Sequence, residues 1–242
     1  MRRPAVTGYA AHMYLLRLPG VYRPQADTEL LLRAAADPSI PRGGRVLDMC
    51  TGTGALAIHA ACGGAGSVTA VDISWRALVS TWLNCRFHGV RVELRHEDST
   101  RLEHDGGYDL ILANPPYVPG PNSASARGRA RAWDAGPLGR DILDPLCRIL
   151  PRLLNPNATG LIVHSALCDP DLTIGRLRAG GLKAAVVAQT SVEFGPVLRS
   201  RAGALETAGL LGSGQHREQL VVVRADRPDS IGETAPVARG AD

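Results

Sequence analysis

"VLDMCTGTGALA", residues 46–57, reads as three things in twelve residues: a short apolar strand, a tight glycine turn and the start of a helix. Gly52 and Gly54 let the backbone turn sharply and approach a ligand with no Cβ in the way. Strand, glycine turn and helix in that order open a βαβ unit, and ligands of open α/β sheets bind at the carboxyl ends of their strands. The flanking sequence continues the alternation. Strand patterns at "SVTAVDI" (67–73), "RVELRHED" (91–98) and "YDLILAN" (108–114) are interleaved with a helix at "SWRALVSTWLNCRFHG" (74–89), which Ser74 caps and Gly89 stops. Ahead of the turn, "DTELLLRAAADP" (27–38) reads as a helix capped by Asp27 and ended by Pro38. Beyond it come a helix over 139–154 despite Pro145 and Pro151, a strand at 159–167, a helix at 170–181 and strands at 182–189 and 217–225.

This pattern predicts an α/β fold: a doubly wound, Rossmann-like, seven-stranded, mostly parallel sheet covered on both faces. No helical pattern joins the last two strands across 190–216, which permits an antiparallel last strand. Residues 226–242 carry little to bury and read as a disordered tail. The expected organisation is a short extension (1–19), one domain (20–225) and that tail.

Composition narrows the class. The chain has 242 residues, is 45% hydrophobic and 21% charged, and has a net charge of +4. That is a soluble globular composition with no apolar run long enough to span a membrane. The first twenty residues lack the apolar core and cleavage pattern of a signal peptide. The five cysteines have irregular spacing and form no C-x-x-C pair, so neither a disulfide framework nor a metal site is expected, and a reducing cytoplasm fits best. The basic balance permits a nucleic-acid partner without requiring one.

The glycine turn is ambiguous on its own, because Gly52, Gly54 and Ala57 also fit the G-x-G-x-x-A pattern of nicotinamide and flavin enzymes. The neighbouring acids discriminate. Asp48 stands just before the turn, where it would repel a pyrophosphate and welcome a cationic amino group. Asp72 ends the next strand, where a carboxylate can accept from two ribose hydroxyls. Asp98 can accept from an adenine amine and Ser99 can donate to a ring nitrogen, unless Asp98 is simply a turn cap. S-adenosylmethionine, with an ammonium, a sulfonium and no phosphate, suits this set.

"NPPY" (114–117) ends the fourth strand. The residue before a proline is held extended and each proline has a fixed φ, so the turn is stiff. It can hold the Asn114 side-chain oxygen and the Pro115 carbonyl side by side, and these can grip the two hydrogens of a planar –NH2 group. Pro116 fixes the turn and Tyr117 can stack on the plane of that group. His59, His88, His96 and His164 read as structural or surface residues.

These residues resemble the class I S-adenosylmethionine-dependent methyltransferases. More closely they resemble the HemK/PrmC glutamine methyltransferases of release factors, in the branch shared with the archaeal and eukaryotic members. "GVYRPQADTELLL" (20–32) is similar to that family's Tyr-x-Pro-x-x-Asp-Thr segment, "DMCTGTG" to its glycine motif and "NPPYVP" to its active-site turn. "RAWDAGPLGRDILDPLC" (131–147) is similar to the segment that follows the turn, with Trp133 and Arg140 matching.

The resemblance implies N5-methylation of the glutamine in a release factor's Gly-Gly-Gln loop. It implies that Asn114, Pro115, Pro116 and Tyr117 are catalytic. The cofactor would be held by Tyr22, Pro24, Thr28, Asp48, Cys50, Thr51, Gly52, Gly54, Asp72, Ile73, Asp98, Ser99 and Asn114. Tyr22, Pro24, Asp27 and Thr28 would close over it. The eukaryotic branch works with a small zinc-binding activator. Two other acceptor classes share the –NH2 chemistry: RNA adenine or guanine amino groups, with Arg127, Arg129 and Arg131 as backbone contacts, and small molecules or peptides.

Overall fold

The structure is a computed structural model and describes residues 13–40, 42–102, 107–120, 130 and 132–229. Seven strands form one sheet: β1 (Arg45–Met49), β2 (Ser67–Asp72), β3 (Glu93–His96), β4 (Tyr108–Ala113), β5 (Leu154–Ser165), β6 (Lys183–Glu193) and β7 (Arg217–Asp226). Their order is β3-β2-β1-β4-β5-β7-β6. β1 pairs in parallel with both β2 and β4, whereas β7 is antiparallel to β5 and β6. The expected mostly parallel sheet with an antiparallel last strand is what forms. The strand order reverses between β1 and β4, which is where an open α/β sheet leaves a crevice for a ligand. Met49 lies level with Val71 and with Ala113. The residues just past them, Cys50, Asp72 and Asn114, therefore emerge together at one edge.

Alternation along the strands loads both faces. Leu47, Met49, Ile111 and Ile162 pack on Leu143, Leu146, Leu150 and Leu153 of α4 (Leu143–Leu153) and on Leu177 of α5 (Pro170–Ala179). Val46, Leu110, Leu112, Leu161 and Val222 face Leu30, Leu31 and Leu32 of α1 (Ala26–Ala35) and Leu56 and Ala57 of α2 (Ala55–Cys62). The spacing 143, 146, 150, 153 is one helical stripe. It survives Pro145, which falls in the first turn where no N–H is needed, and Pro151, which falls in the last. Ser74 caps α3 (Trp75–Phe87) as expected, its hydroxyl accepting from the Ala77 N–H at 3.4 Å.

Three sequence expectations need correction. Asp27 does not cap α1. Gln25 is the N-cap residue, and Asp27 lies inside the first turn, where other donors occupy its carboxylate. The 190–216 connection does contain a helix, α6 (Pro196–Thr207). Its Leu198 and Leu205 build a small separate core with Phe194 and Leu211, against which Val118 packs. The ordered fold also outruns residue 225. β7 includes Asp226, and Arg227 exchanges backbone hydrogen bonds with Asn157 and Ala158. Residues 230–242 of the expected tail lie outside the described residues, as do 1–12 of the expected extension. Residues 13–19 run along α3, where the Asn84 side chain accepts from the Leu16 N–H at 2.7 Å and donates to its carbonyl at 2.9 Å.

Candidate active site

β1 ends in a tightly bonded turn. Cys50, Gly52 and Gly54 all adopt left-handed backbone (φ 61°, 58° and 83°). Gly54 has a second reason to be glycine, since a Cβ there would lie 2.7 Å from the Thr81 methyl. Asp48 is fully buried beneath the turn. Its Oδ2 accepts from the Thr51 hydroxyl at 2.5 Å and from the Ala57 N–H of α2 at 3.0 Å. Its Oδ1 has no partner among the described residues. Burial, with a smaller push from the Asp72 charge, raises its pKa to about 7 against the pull of those two donors.

Asp72, at the end of β2, accepts from the Gly52 N–H at 3.0 Å and from the Ser74 N–H at 2.8 Å. Ser99 is buried at the end of β3, 3.7 Å from the Cys50 sulfur, and burial pushes the Cys50 thiol up, so it is not a thiolate. Asp98 lies beside it but spends Oδ1 on the N–H and hydroxyl of Thr100, at 2.9 and 2.7 Å. That is the turn-cap arrangement, and it leaves Oδ2 on the Arg101 side at 3.6 Å. Ile73 is 44% exposed, an apolar side chain left uncovered next to Asp72.

The NPPY turn is anchored to the start of α1. Asp27 is 2% exposed and collects four donors. Oδ1 accepts from the Thr28 N–H (2.5 Å) and hydroxyl (3.2 Å), and Oδ2 from the phenols of Tyr22 (2.6 Å) and Tyr117 (3.0 Å). Burial first, and then the Asp27 charge, hold both phenols well above the usual tyrosine range. Asn114 joins the cluster by donating its side-chain N–H to the Thr28 hydroxyl at 3.2 Å. Tyr22 links the two halves of the site. Its phenol reaches Asp27, while its Cβ lies 3.9 Å from where a Cβ on Gly52 would be.

Tyr117 is thus turned inward and packs on both cores, with its hydroxyl used for anchoring. Among the described residues, no donor meets the Asn114 Oδ1 or the Pro115 carbonyl.

Pro24 lines a cavity of about 630 Å³ with Arg17, Arg23, Gln25, Glu29 and Thr53. Asn114 is not part of its wall, so this cavity and the NPPY turn are separate features flanking Tyr22 and the glycine turn.

Sequence reasoning named Asp27 as a helix cap and as one of the residues closing over the cofactor, but not as the hub described above, and it missed two further contributors. Glu218, at the start of β7, lies close enough for its charge to bear on Tyr22 and Tyr117; burial raises its own pKa, with the Ser165 hydroxyl opposing and Asp27 adding. Arg201 of α6 pairs with Asp134 at 2.5 Å and donates to the Pro119 carbonyl at 3.0 Å, bracing the exit of the turn. Arg140 is buried and holds Asp144, the Cys168 and Asp169 carbonyls and Thr173, so it ties α4 to α5. Trp133 donates nothing to the turn by its side chain, although its carbonyl accepts from the Val118 N–H at 2.9 Å. Arg127, Arg129 and Arg131 lie outside the described residues. Among the described residues no group of three or more His, Cys, Asp or Glu is placed to hold a metal, and no helix is long and apolar enough to cross a membrane.

Comparison with known proteins agrees with this geometry. Residues 12–129 match the family model described as methyltransferase small domain. A Methanocaldococcus jannaschii chain, provisionally named a protein N5-glutamine methyltransferase, is 32% identical over 177 residues, covering 73% of this chain and 88% of that one. The release factor glutamine methyltransferase of Mycolicibacterium smegmatis is 35% identical over 156 residues, 60% of this chain but 54% of the relative, so this chain spans about half of that protein. Among solved structures, the E. cuniculi Mtq2–Trm112 complex, described as responsible for methylation of the eRF1 translation termination factor, superposes with a TM-score of 0.59. It does so at 19% identity, over 86% of this chain and 99% of that one, a likeness of fold. With a doubly wound sheet, an acid-flanked glycine turn and an NPPY turn at the end of β4, the chain belongs to the HemK/PrmC-type glutamine methyltransferase family of class I methyltransferases.

Proposed function

We propose that this protein is an S-adenosylmethionine-dependent N-methyltransferase that methylates N5 of the glutamine in the Gly-Gly-Gln loop of a peptide-chain release factor. The observation that carries the reading is the orientation of Asn114. Its –NH2 end is bound to Thr28, so Oδ1 is the end left to receive an N–H, and among the described residues no donor meets it or the carbonyl of the adjoining Pro115. Two acceptors on a stiff turn match the two hydrogens of a primary amide.

The chain's own residues suit the cofactor. Asp48 has a buried carboxylate oxygen that no donor meets among the described residues, which calls for a cationic or water-bridged partner. Asp72 would face the ribose from the end of β2, beside the Gly52 N–H it accepts from, and Ile73 and Ser99 offer an apolar and a polar surface for a base. Cys50, Thr51, Gly52 and Gly54 present backbone at close range, and Tyr22, Pro24 and Thr28 lie across the turn. When bound, S-adenosylmethionine supplies a methyl already activated by its sulfonium.

An amide nitrogen is a poor nucleophile because its lone pair is delocalised into the carbonyl. Asn114 Oδ1 and the Pro115 carbonyl draw on both N–H groups, favour a more tetrahedral nitrogen and stabilise the positive charge that develops there. Catalysis rests on positioning and on these acceptors. The N–CH3 bond would form as the S–CH3 bond breaks, with S-adenosylhomocysteine leaving and the extra proton on the methylated nitrogen passing to solvent, so no strong general base is required. We assign this activity to the domain expected over residues 20–225, extended by Asp226 and Arg227, acting on a protein partner rather than at a membrane, in the cytoplasm. The E. cuniculi structure contains a second chain, so an activator subunit is included as an arm of the test.

The test is transfer of labelled methyl from S-adenosylmethionine to the release factor of the same organism, to its Gly-Gly-Gln Gln→Ala variant and to total RNA, each with and without a candidate activator. Label on the factor that vanishes with Gln→Ala supports the glutamine reading. Label on RNA instead would move the acceptor to nucleobase amino groups.

A further inference from the structure

We infer that Asp27 is a positioning residue that dictates which end of the Asn114 amide faces the methyl acceptor. The inference rests on the reading of the NPPY turn as an amide grip and adds what sets its polarity.

Asp27 is buried, and four donors converge on its two oxygens, so it acts as an acceptor only. Thr28 has a single hydroxyl hydrogen. That hydrogen is directed at Asp27 Oδ1, 3.2 Å away, so the hydroxyl presents only lone pairs to anything else. Asn114 lies 3.2 Å from the same oxygen and can meet it only with its –NH2 end. A side-chain amide has one nitrogen and one oxygen. Committing the nitrogen to Thr28 leaves the oxygen for the acceptor, which is the end that can receive an N–H.

The direction of donation therefore runs one way, from the substrate N–H to Asn114, from Asn114 to Thr28, and from Thr28 to a buried carboxylate. No proton is transferred along it. Each bond polarises the next, and the buried negative charge at its end makes the Asn114 oxygen a better acceptor as positive charge builds on the nitrogen. Tyr22 and Tyr117 fix Asp27 in place by donating to its other oxygen, and Tyr117 belongs to the same turn as Asn114. One carboxylate thus sets both the position of the turn and the polarity of its amide. Replacing it by an amide reverses the logic. An –NH2 at position 27 can donate to the Thr28 oxygen, which frees the hydroxyl hydrogen to point at Asn114 and favours the flipped amide with its –NH2 toward the substrate.

The experiment uses the full chain with Asp27→Asn, Thr28→Val and Thr28→Ser, read in two ways. In the free protein, the side-chain –NH2 resonances of Asn114 are identified in a ¹⁵N spectrum by their loss in Asn114→Ala. We expect them to be shifted and faster-exchanging in Asp27→Asn and Thr28→Val but wild-type-like in Thr28→Ser. In the methyl-transfer assay at saturating cofactor we expect kcat to fall by ~100-fold in Asp27→Asn and ~10-fold or more in Thr28→Val, with the KM of the acceptor within about 3-fold and most activity kept in Thr28→Ser. Unchanged Asn114 resonances in both Asp27→Asn and Thr28→Val would overturn the inference, as would a loss confined to KM. If Asp27→Asn does not fold, Thr28→Val decides, because it removes one link and leaves the Asp27 cluster with three donors. The spectroscopic arm needs no methyl acceptor, so it judges Asp27 even if the wild-type protein transfers nothing to a release factor, a result that would count against the proposed substrate alone.

Discussion

The backbone N–H of Gly52 donates to Asp72 Oδ2 at 3.0 Å, so the glycine turn after β1 and the acidic end of β2 form one hydrogen-bonded unit. The other oxygen of Asp72 accepts from the Ser74 N–H at the head of α3. A carboxylate in that position shapes the turn and, in the proposed cofactor site, would face the ribose. Asp72→Ala removes both, leaving two partly buried N–H groups without this acceptor at ~1–3 kcal/mol each. We expect cofactor affinity to fall at least ~10-fold by calorimetry, with Asp72→Asn between Ala and wild type. Wild-type affinity in Asp72→Ala would remove Asp72 from the cofactor site.

Asn114→Ala separates binding from chemistry. Among the described residues the Asn114 side chain hydrogen-bonds to the α1 cluster at Thr28, and the glycine turn is held by other bonds. Its removal should leave cofactor affinity near normal and lower kcat by ~100-fold or more, the usual scale for one preorganised group aimed at developing charge. Full activity in this variant would mean that the NPPY turn does not grip the acceptor.

The alternation of apolar strands and helices made the sheet readable, because burial on two faces imposes near-continuous apolar runs such as "VLDM" and "LILA". The acids and glycines of the site were readable because their positions follow from that sheet. Asp27 was read as a cap because an acid before an apolar helix is the usual cap signal, and only the tertiary structure brings Tyr117, 90 residues away, to its other side. α6 was missed because it buries only Leu198 and Leu205 among polar and small residues. Gly195 followed by Pro196 at the first helical position, with 198, 202 and 205 at helical spacing, was the signal available. Arg201 could not be found by pattern, since its partners Asp134 and Pro119 are distant in sequence.

If a cofactor cation lies opposite Asp48, as proposed, cofactor binding should depend on pH in a definite direction. Its pKa is raised from 3.8 to about 7 in the folded protein, so its neutral form is favoured there. Its contribution to stability is therefore full below the unfolded value near 3.8 and is lost as pH rises through about 7. A cation opposite Asp48 prefers the ionised form. Affinity for S-adenosylmethionine should thus rise with pH up to about 7, by at most ~10-fold per unit, and then level off, with proton release below the midpoint. Calorimetry in buffers of different ionisation enthalpy reads that release directly. Asp48→Asn should flatten the profile, and a flat wild-type profile would show that no cation faces this carboxylate.

Arg201 should couple α6 to the turn that holds the acceptor. Residues 118–120 pair with 133–136: the Val118 N–H donates to the Trp133 carbonyl, the Ala135 N–H to the Val118 carbonyl and the Gly120 N–H to the Gly136 carbonyl. Asp134 sits in this ladder, 7% exposed, with the Arg201 guanidinium at 2.5 Å. Arg201→Leu keeps an apolar stem against the small core but strands the Asp134 carboxylate. Removing one partner of a buried pair costs ~3–5 kcal/mol, and Arg201 keeps some contact with water, so about 2 kcal/mol is the expected loss in denaturant unfolding. Asp134→Asn in the same chain should recover part of it, since the stranded charge is the larger part of the penalty. Hydrogen exchange at Val118 and Gly120 should quicken while exchange at Gly52 and Gly54 stays as in wild type, because the glycine turn is bonded to β2 and α3 rather than to α6. Methyl transfer should weaken through the acceptor, raising its KM with cofactor affinity unchanged. Equal stability of Arg201→Leu and wild type would show that the pair is screened by solvent and braces nothing.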